Sequence, residues 1–475
     1  MSILCGVIVV VKMFKVELNK PALSYSVGEK IQFKVFATND FLKVEQPNMR
    51  YELTTDDGKR EWGYVSTSPK NPFVVETELS RPGFVHLVCT ACDENLAAIS
   101  DFEILHAGAG ADVEKITYAD TLPEDFDKYW DEIKEKISAF TPEIIEKTEI
   151  RENIPEDFLA YDVRISTPFD TVGSGCLTIP KNAADASCSI RISFLGYGIA
   201  GAAPKCIENT ITLVMNAHGI ENQNAITRAE TMNKYKNLQG YGFNAEENAS
   251  PYTTYWRNMH IRNLSALKMT KLMPQWNGKY ITASGGSQGA FQATAVAAHG
   301  GDVTMLEIDV PWFCNIGAEQ NGYLAGWRPK FAEGLRYFDT VANATRVKCP
   351  VKISAGLGDY TCPPHSVMAL YNAISTEKRI TFFQGRTHHH KPLNAESFYL
   401  ECDSTCGEIK LGKYRHYKGG EYEVIDIAKN SEDLKEVVVY KSLADGDVWA
   451  RPKEMWNEMV LDNGKPTKRF TYIGE

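Results

Sequence analysis

No apolar run in this 475-residue chain approaches the roughly 20 residues an α-helix needs to cross a bilayer. A helical membrane protein is therefore excluded. The nearest candidate, Ile3 to Val11 ("ILCGVIVVV"), is short and has no basic residue before it. A secretion signal usually has a basic start and a small-residue cleavage site. The stretch is read as an extended start, with Met13 a natural first residue and a cytoplasmic location expected. Positive charge is scarce too: 51 Lys and Arg face 61 Asp and Glu, a net charge of −10. That excludes binding nucleic acid through bulk positive charge. Cysteine is sparse and odd in number, 11 in all. A disulfide framework is not expected, and reduced thiols fit a cytoplasm. The close pairs Cys89/Cys92 and Cys402/Cys406 stand too far apart in the chain to suggest a shared zinc site. Internal repeats and long low-complexity tracts are also missing.

What remains is an ordinary globular composition, long enough for two to four domains. Three blocks differ in rhythm. From about Met13 to Ala107, "KIQFKVFA", "MRYELTT" and "PGFVHLVCTACD" alternate apolar and polar residues between turn signals. This predicts an Ig-like β-sandwich over 13–107. "HAGAGADVEK" then reads as a small-residue linker. After it, Phe126, Trp130, Ile133 and Ile137 recur at helical spacing.

In the second block, 115–400, buried-type apolar runs alternate with helical segments. That pattern predicts an α/β domain with a mostly parallel, doubly wound sheet. Function in such sheets sits at the carboxyl ends of strands. The third block, 411–475, is polar and reads as a small, mostly-β appendage; "GEYEVIDIA" and "KEVVVYKSL" are its expected strands.

The chemistry-bearing stretch is "YITASGGSQGAFQATAVAAHG". Gly285-Gly286-Ser287-Gln288-Gly289 matches G-x-S-x-G, with a strand expected before it and a helix after it. That order is the nucleophile elbow of the α/β-hydrolases. A serine hydroxyl attacks only when a base removes its proton. The acid and then the histidine should follow on later strand-end loops. Asp359 closes "VKISAGLGD", and His388 closes "RITFFQGRTH". His389 and His390 compete with His388 for the base role. His365 reads as a cap or surface residue, and Asp309 ranks below Asp359 because its strand comes earlier. Consecutive histidine side chains diverge, so the triplet is not read as a metal site. The oxyanion hole is expected from the backbone N–H groups of Gln288 and Tyr197.

At these residues the chain resembles carbohydrate esterase family seven, the acetyl xylan esterase and cephalosporin-C deacetylase group. The resemblance rests on "LPEDFDKYW", "FLGYGIAG", "YWRNMHIRNLSAL", "SGGSQGAF", "GLGDYTCPP" and "FFQGRTHH". It implies Ser287, Asp359 and His388 as a triad, and Tyr197 and Gln288 as oxyanion donors. It further implies an acetylated carbohydrate substrate such as xylan or xylo-oligosaccharides, no cofactor, and a homo-oligomer. There are departures. His389 stands where the family usually has glutamate, and Leu195-Gly196-Tyr197 and Ala217-His218-Gly219 replace two family motifs near the pocket wall. The tail resembles a small bacterial domain of unestablished function, with His416 read as one of its fold residues. A different serine hydrolase and an inactive hydrolase scaffold are the alternatives.

Overall fold

The computed structural model describes residues 11–12, 14–38, 48–68, 70–99, 102–222, 227–392, 395–402, 409–431, 436–456, 459–462 and 465–474. Most of the Ile3–Val11 stretch, Met13 and Cys406 lie outside them.

The first block is a sandwich. One sheet joins Phe14–Leu18, Ile31–Ala37 and Phe73–Thr77. The other joins Arg60–Val65, Asn48–Thr55, Gly83–Cys92 and Leu105–Ala111, in that order. Ile31, Phe33, Val35 and Ala37 alternate into the core against Leu53, Val85, Leu87 and Cys89. The period-2 pattern thus becomes one buried face per strand.

The expected linker "HAGAGADVEK" is not one. Its first half is the strand Leu105–Ala111, and Ala107 to Ala111 are buried. Small residues serve close approach here. A Cβ on Gly108 would stand 2.8 Å from the carbonyl oxygen of Leu357 in the second block. The last sandwich strand is packed on both faces, so the sandwich runs on past residue 107.

The second block is built on a ten-stranded sheet. Its order is Ile144–Ile150, Phe158–Ile165, Gly173–Pro180, Thr210–Met215, Cys188–Phe194, Trp276–Gly286, Met305–Asp309, Val351–Gly356, Lys378–Phe383 and Ser397–Cys402. The strands from Thr210–Met215 to Lys378–Phe383 run parallel. The flanking pairs are antiparallel. This is the α/β-hydrolase arrangement. The expected amphipathic helix, Phe126–Ala139, buries Phe126, Tyr129, Trp130, Ile133 and Ile137. The Trp130 ring stacks on the His299 ring at 3.9 Å, the two planes nearly parallel. Burial of one such side chain contributes about 1.5–3 kcal/mol.

The third block forms a five-stranded antiparallel sheet around Trp456, which stacks on Phe470 at 3.9 Å. His416 packs against Phe470 at 4.8 Å. Among the described residues, no helix is long and apolar enough to cross a membrane.

Candidate active site

The strand Trp276–Gly286 runs directly into Ser287, and the helix Gln288–His299 begins at the next residue. Ser287 holds φ 54° and ψ −122°, a conformation that L-residues rarely adopt. Such strain persists only where the surroundings impose it. They do so here. The Ser287 N–H donates to the carbonyl of Asp309 at 2.9 Å, and its own carbonyl accepts from Ala290 N–H at 2.9 Å and Trp312 N–H at 3.3 Å.

The two outer glycines of the motif are needed sterically. A Cβ on Gly285 would meet the Gly289 backbone at 2.3 Å. A Cβ on Gly289 would meet the Phe194 carbonyl oxygen at 2.2 Å. The elbow helix therefore lies against the end of the neighbouring strand with no room for a methyl group.

Asp359 and His388 come to this serine from the ends of the next strands. His388 Nε2 is 3.1 Å from Ser287 Oγ, and His388 Nδ1 is 2.9 Å from Asp359 Oδ2. Asp359 Oδ1 accepts the N–H groups of Thr361 and Cys362, both at 2.9 Å. The carboxylate is 1% exposed. The chain thus fixes one oxygen with its own backbone and turns the other to the imidazole. The helix Pro364–Ala373 spans the interval between Asp359 and the next strand.

The neighbouring histidines go elsewhere. His390 Nε2 pairs with Glu103 of the sandwich at 3.0 Å and is exposed. His389 lies edge-on to His388 at 4.9 Å. His365 is neither a cap nor a surface residue. It is buried and stacked on Tyr323 at 3.8 Å, and burial lowers its pKa to about 3. Its place in the first turn of a crossover helix said nothing of Tyr323, which arrives from far along the chain.

Asp309 stays out of the hydrogen-bonded line Ser287–His388–Asp359. Its carboxylate accepts from Arg386 Nη2 at 2.6 Å and from the Ser354 hydroxyl. Arg386 is nearly buried and sits just before the histidine loop. The ion pair therefore ties the His388 loop to the strand whose carbonyl holds Ser287.

Among the described residues, Asp359, Cys362 and His388 place potential metal-ligating atoms within 4.8 Å of one another. Two of the three are already spent on the hydrogen-bonded relay. The third, Cys362, is a buried thiol whose pKa burial raises well above its usual value. A neutral thiol is a poor ligand.

The wall facing the serine follows the strand Cys188–Phe194. Gln292, one turn along the elbow helix from Gln288, donates to the Leu195 carbonyl at 2.9 Å and accepts from Asn263 at 3.0 Å. Gln288 accepts from the Tyr241 hydroxyl at 2.8 Å, and that hydroxyl accepts from Gly198 N–H at 3.1 Å. Tyr197 stacks on Tyr241 at 4.3 Å. His218 bridges the Tyr255 hydroxyl at 2.5 Å and the Gly198 carbonyl at 3.0 Å. Burial lowers its pKa to about 4, so it stays neutral near pH 7. Residues 195–198 are thereby held on both sides. Sequence reasoning missed Tyr241, Gln292 and Asn263. The available signal was two glutamines four apart in an alanine-rich, otherwise apolar helix, since buried polar side chains need partners.

The acetyl xylan esterase family model matches residues 111–318 and 329–400, and a family of proteins of unknown function, DUF1653, matches 412–472. The chain belongs to the acetyl xylan esterase family. It is accordingly a carboxylic ester hydrolase. It is 24% identical over 320 residues to acetyl esterase Axe7A of Xylanibacter ruminicola, covering 63% of this chain and 69% of that protein. Among solved structures, an acetyl xylan esterase from Paenibacillus sp. R4 shares 19% identity at a TM-score of 0.48, covering 59% of this chain and 94% of that one. Acetyl xylan esterase 1 from Thermoanaerobacterium sp. shares 20% identity at 0.48, covering 59% and 93%.

Proposed function

We propose that this esterase removes acetyl groups from acetylated xylan or its oligosaccharides through a serine acyl-enzyme. The observation that carries the mechanism is the continuous hydrogen-bonded line from Ser287 Oγ through His388 to Asp359. Ser287 attacks the acetyl carbonyl carbon while His388 Nε2 takes the hydroxyl proton. The imidazolium that forms is stabilised by Asp359, which also fixes its tautomer. Negative charge develops on the former carbonyl oxygen. The N–H groups of Gln288, at the helix start, and Tyr197, in the braced loop, receive it. Collapse expels the sugar hydroxyl, protonated by His388. Water then attacks the acetyl carbonyl carbon while His388 takes its proton; the bond to Ser287 Oγ breaks, His388 returns the proton to that oxygen, and acetate leaves.

The substrate class rests on the family and on the acetyl esterase relative.

Ser287→Ala should lower turnover of an activated acetyl ester by on the order of 10⁴-fold or more with the melting temperature unchanged. His388→Ala should match it, while His389→Ala and His390→Ala stay within about threefold. Wild-type-like turnover by Ser287→Ala would sink the mechanism. Acetate release from acetylated xylan, compared with butyryl esters, tests the substrate.

A further inference from the structure

The sandwich carries an exposed aromatic pair on its edge strand Arg60–Val65. Trp62 is 63% exposed and Tyr64 39%. The register fixes which way they face. Trp62 pairs with Glu52, and Glu52 pairs with Val88; Tyr64 pairs with Arg50. Directly paired residues share a sheet face. Val88 and His86, two apart, lie on that same face. His86 stacks on Tyr360 of the second block at 4.4 Å, and Tyr360 follows Asp359. Trp62 and Tyr64 therefore look out from the sheet face that packs on the Asp359 loop. Trp62 lies about 10 Å across the sheet and about 7 Å along it from His86.

The sandwich also sits over the correct end of the large sheet. Gly108 exchanges hydrogen bonds with the Gln384 side chain at 2.7 and 3.0 Å, and His390 meets Glu103. Those contacts are to the loop between the strand Lys378–Phe383 and the strand that follows. The aromatic pair thus continues an established interface at the carboxyl ends of the strands that carry Asp359 and His388.

The chemistry of the patch fits one kind of occupant. Arg50 pairs with Glu52 at 3.4 Å, and its guanidinium lies 5.9 Å from the Trp62 ring. Arg60 shares this face through its pairing with Thr54, so Arg50, Arg60 and Glu52 leave the patch a net charge of +1, too little for a nucleic acid or an anionic membrane and compatible with a neutral polyol. The C–H face of a pyranose packs on the electron-rich face of an indole or phenol, while charged and amide groups at the rim bond its hydroxyls. The two rings stand 6.2 Å apart and at 85° to each other. Successive sugars of a helically twisted chain such as xylan present their faces at different angles. A flat chain such as cellulose does not.

We propose that Trp62 and Tyr64 form an accessory binding platform for the xylan backbone, which holds polymeric substrate beside the esterase site. The substrate class rests on the reading above. A tether of this kind raises the local concentration of ester groups without touching the chemistry.

The test uses the full chain and its Trp62→Ala/Tyr64→Ala double variant. Both positions are exposed, so folding should be unaffected, which the melting temperature checks. In gels containing deacetylated xylan, wild type should be retarded and the variant should not. On acetylated xylan polymer the variant's KM should rise about tenfold with kcat unchanged, and its rate on a small activated acetyl ester should match wild type. Equal retardation of the two proteins, or no retardation of wild type, overturns the platform. Equal retardation of wild type by a soluble cellulose derivative overturns the assignment to a twisted chain. Retardation by xylan without acetate release from acetylated xylan would sustain the platform and sink the substrate reading.

Discussion

Two glycine-rich stretches look alike in this sequence and do opposite things. Gly285 to Gly289 surrounds a strained turn, and Gly108 to Gly110 lies in a regular strand. In the elbow, the missing side chains let a helix start against the backbone of the next strand, 2.2 Å from where a Gly289 methyl would stand. In the sandwich strand they let a different block approach. A Cβ on Gly108 would meet Leu357, and one on Gly110 would meet Val113 at 2.5 Å and Phe84 at 2.8 Å. Glycine marks a close approach in both cases. Only the partner decides whether the approach makes a site or a seam.

The largest separation of the two should come from Gly289→Ala. Its methyl must displace the Phe194 carbonyl, and residues 195–198 follow that strand. Turnover of an acetyl ester should fall about 100-fold or more, with a stability loss of about 1–3 kcal/mol. Near-normal kinetics would show that residues 195–198 do not depend on this contact for their place. Gly108→Val should do the reverse. Overpacking against Leu357 should cost about 1–3 kcal/mol in denaturant unfolding, with turnover reduced less than tenfold. A rate loss matching that of Gly289→Ala would make the seam part of the site.

The smallest effect is in pH. His86 lies in the seam, 3.1 Å from His106 and stacked on Tyr360. Burial, reinforced by His106, lowers its pKa from 6.5 to about 3. The folded state holds it neutral while the unfolded chain binds a proton below pH 6.5. Stability is therefore fully present above pH 6.5 and is lost as pH falls toward 3, by at most about 1.4 kcal/mol per pH unit. Replacing His86 with Phe should reduce the slope between pH 6 and 4, measured by thermal unfolding, while His218, His260, His299 and His365, whose pKa values burial also lowers, keep their share. An unchanged slope would mean that His86 does not carry it.

The site was legible because its signals are local. A strand, G-x-S-x-G and a helix are adjacent in the chain. Asp359 and His388 each close an apolar run, and parallel strands bring such ends together. His365 and the segment 105–111 were misread for the converse reason. Their partners, Tyr323 and Leu357, lie at sequence distances that no local pattern encodes. Tyr241 and Asn263 were invisible for the same reason.

The sequence by itself determined the order of the three blocks, the strand and helix periods, and the candidate residues for nucleophile, base and acid. These follow from side-chain chemistry and short-range periodicity. Tertiary structure alone decided that one histidine of three adjacent ones meets the serine, that Asp309 is paired by Arg386, and that two glutamines brace residues 195–198. Those outcomes depend on where distant backbone arrives, because a hydrogen bond is made or lost over less than an ångström.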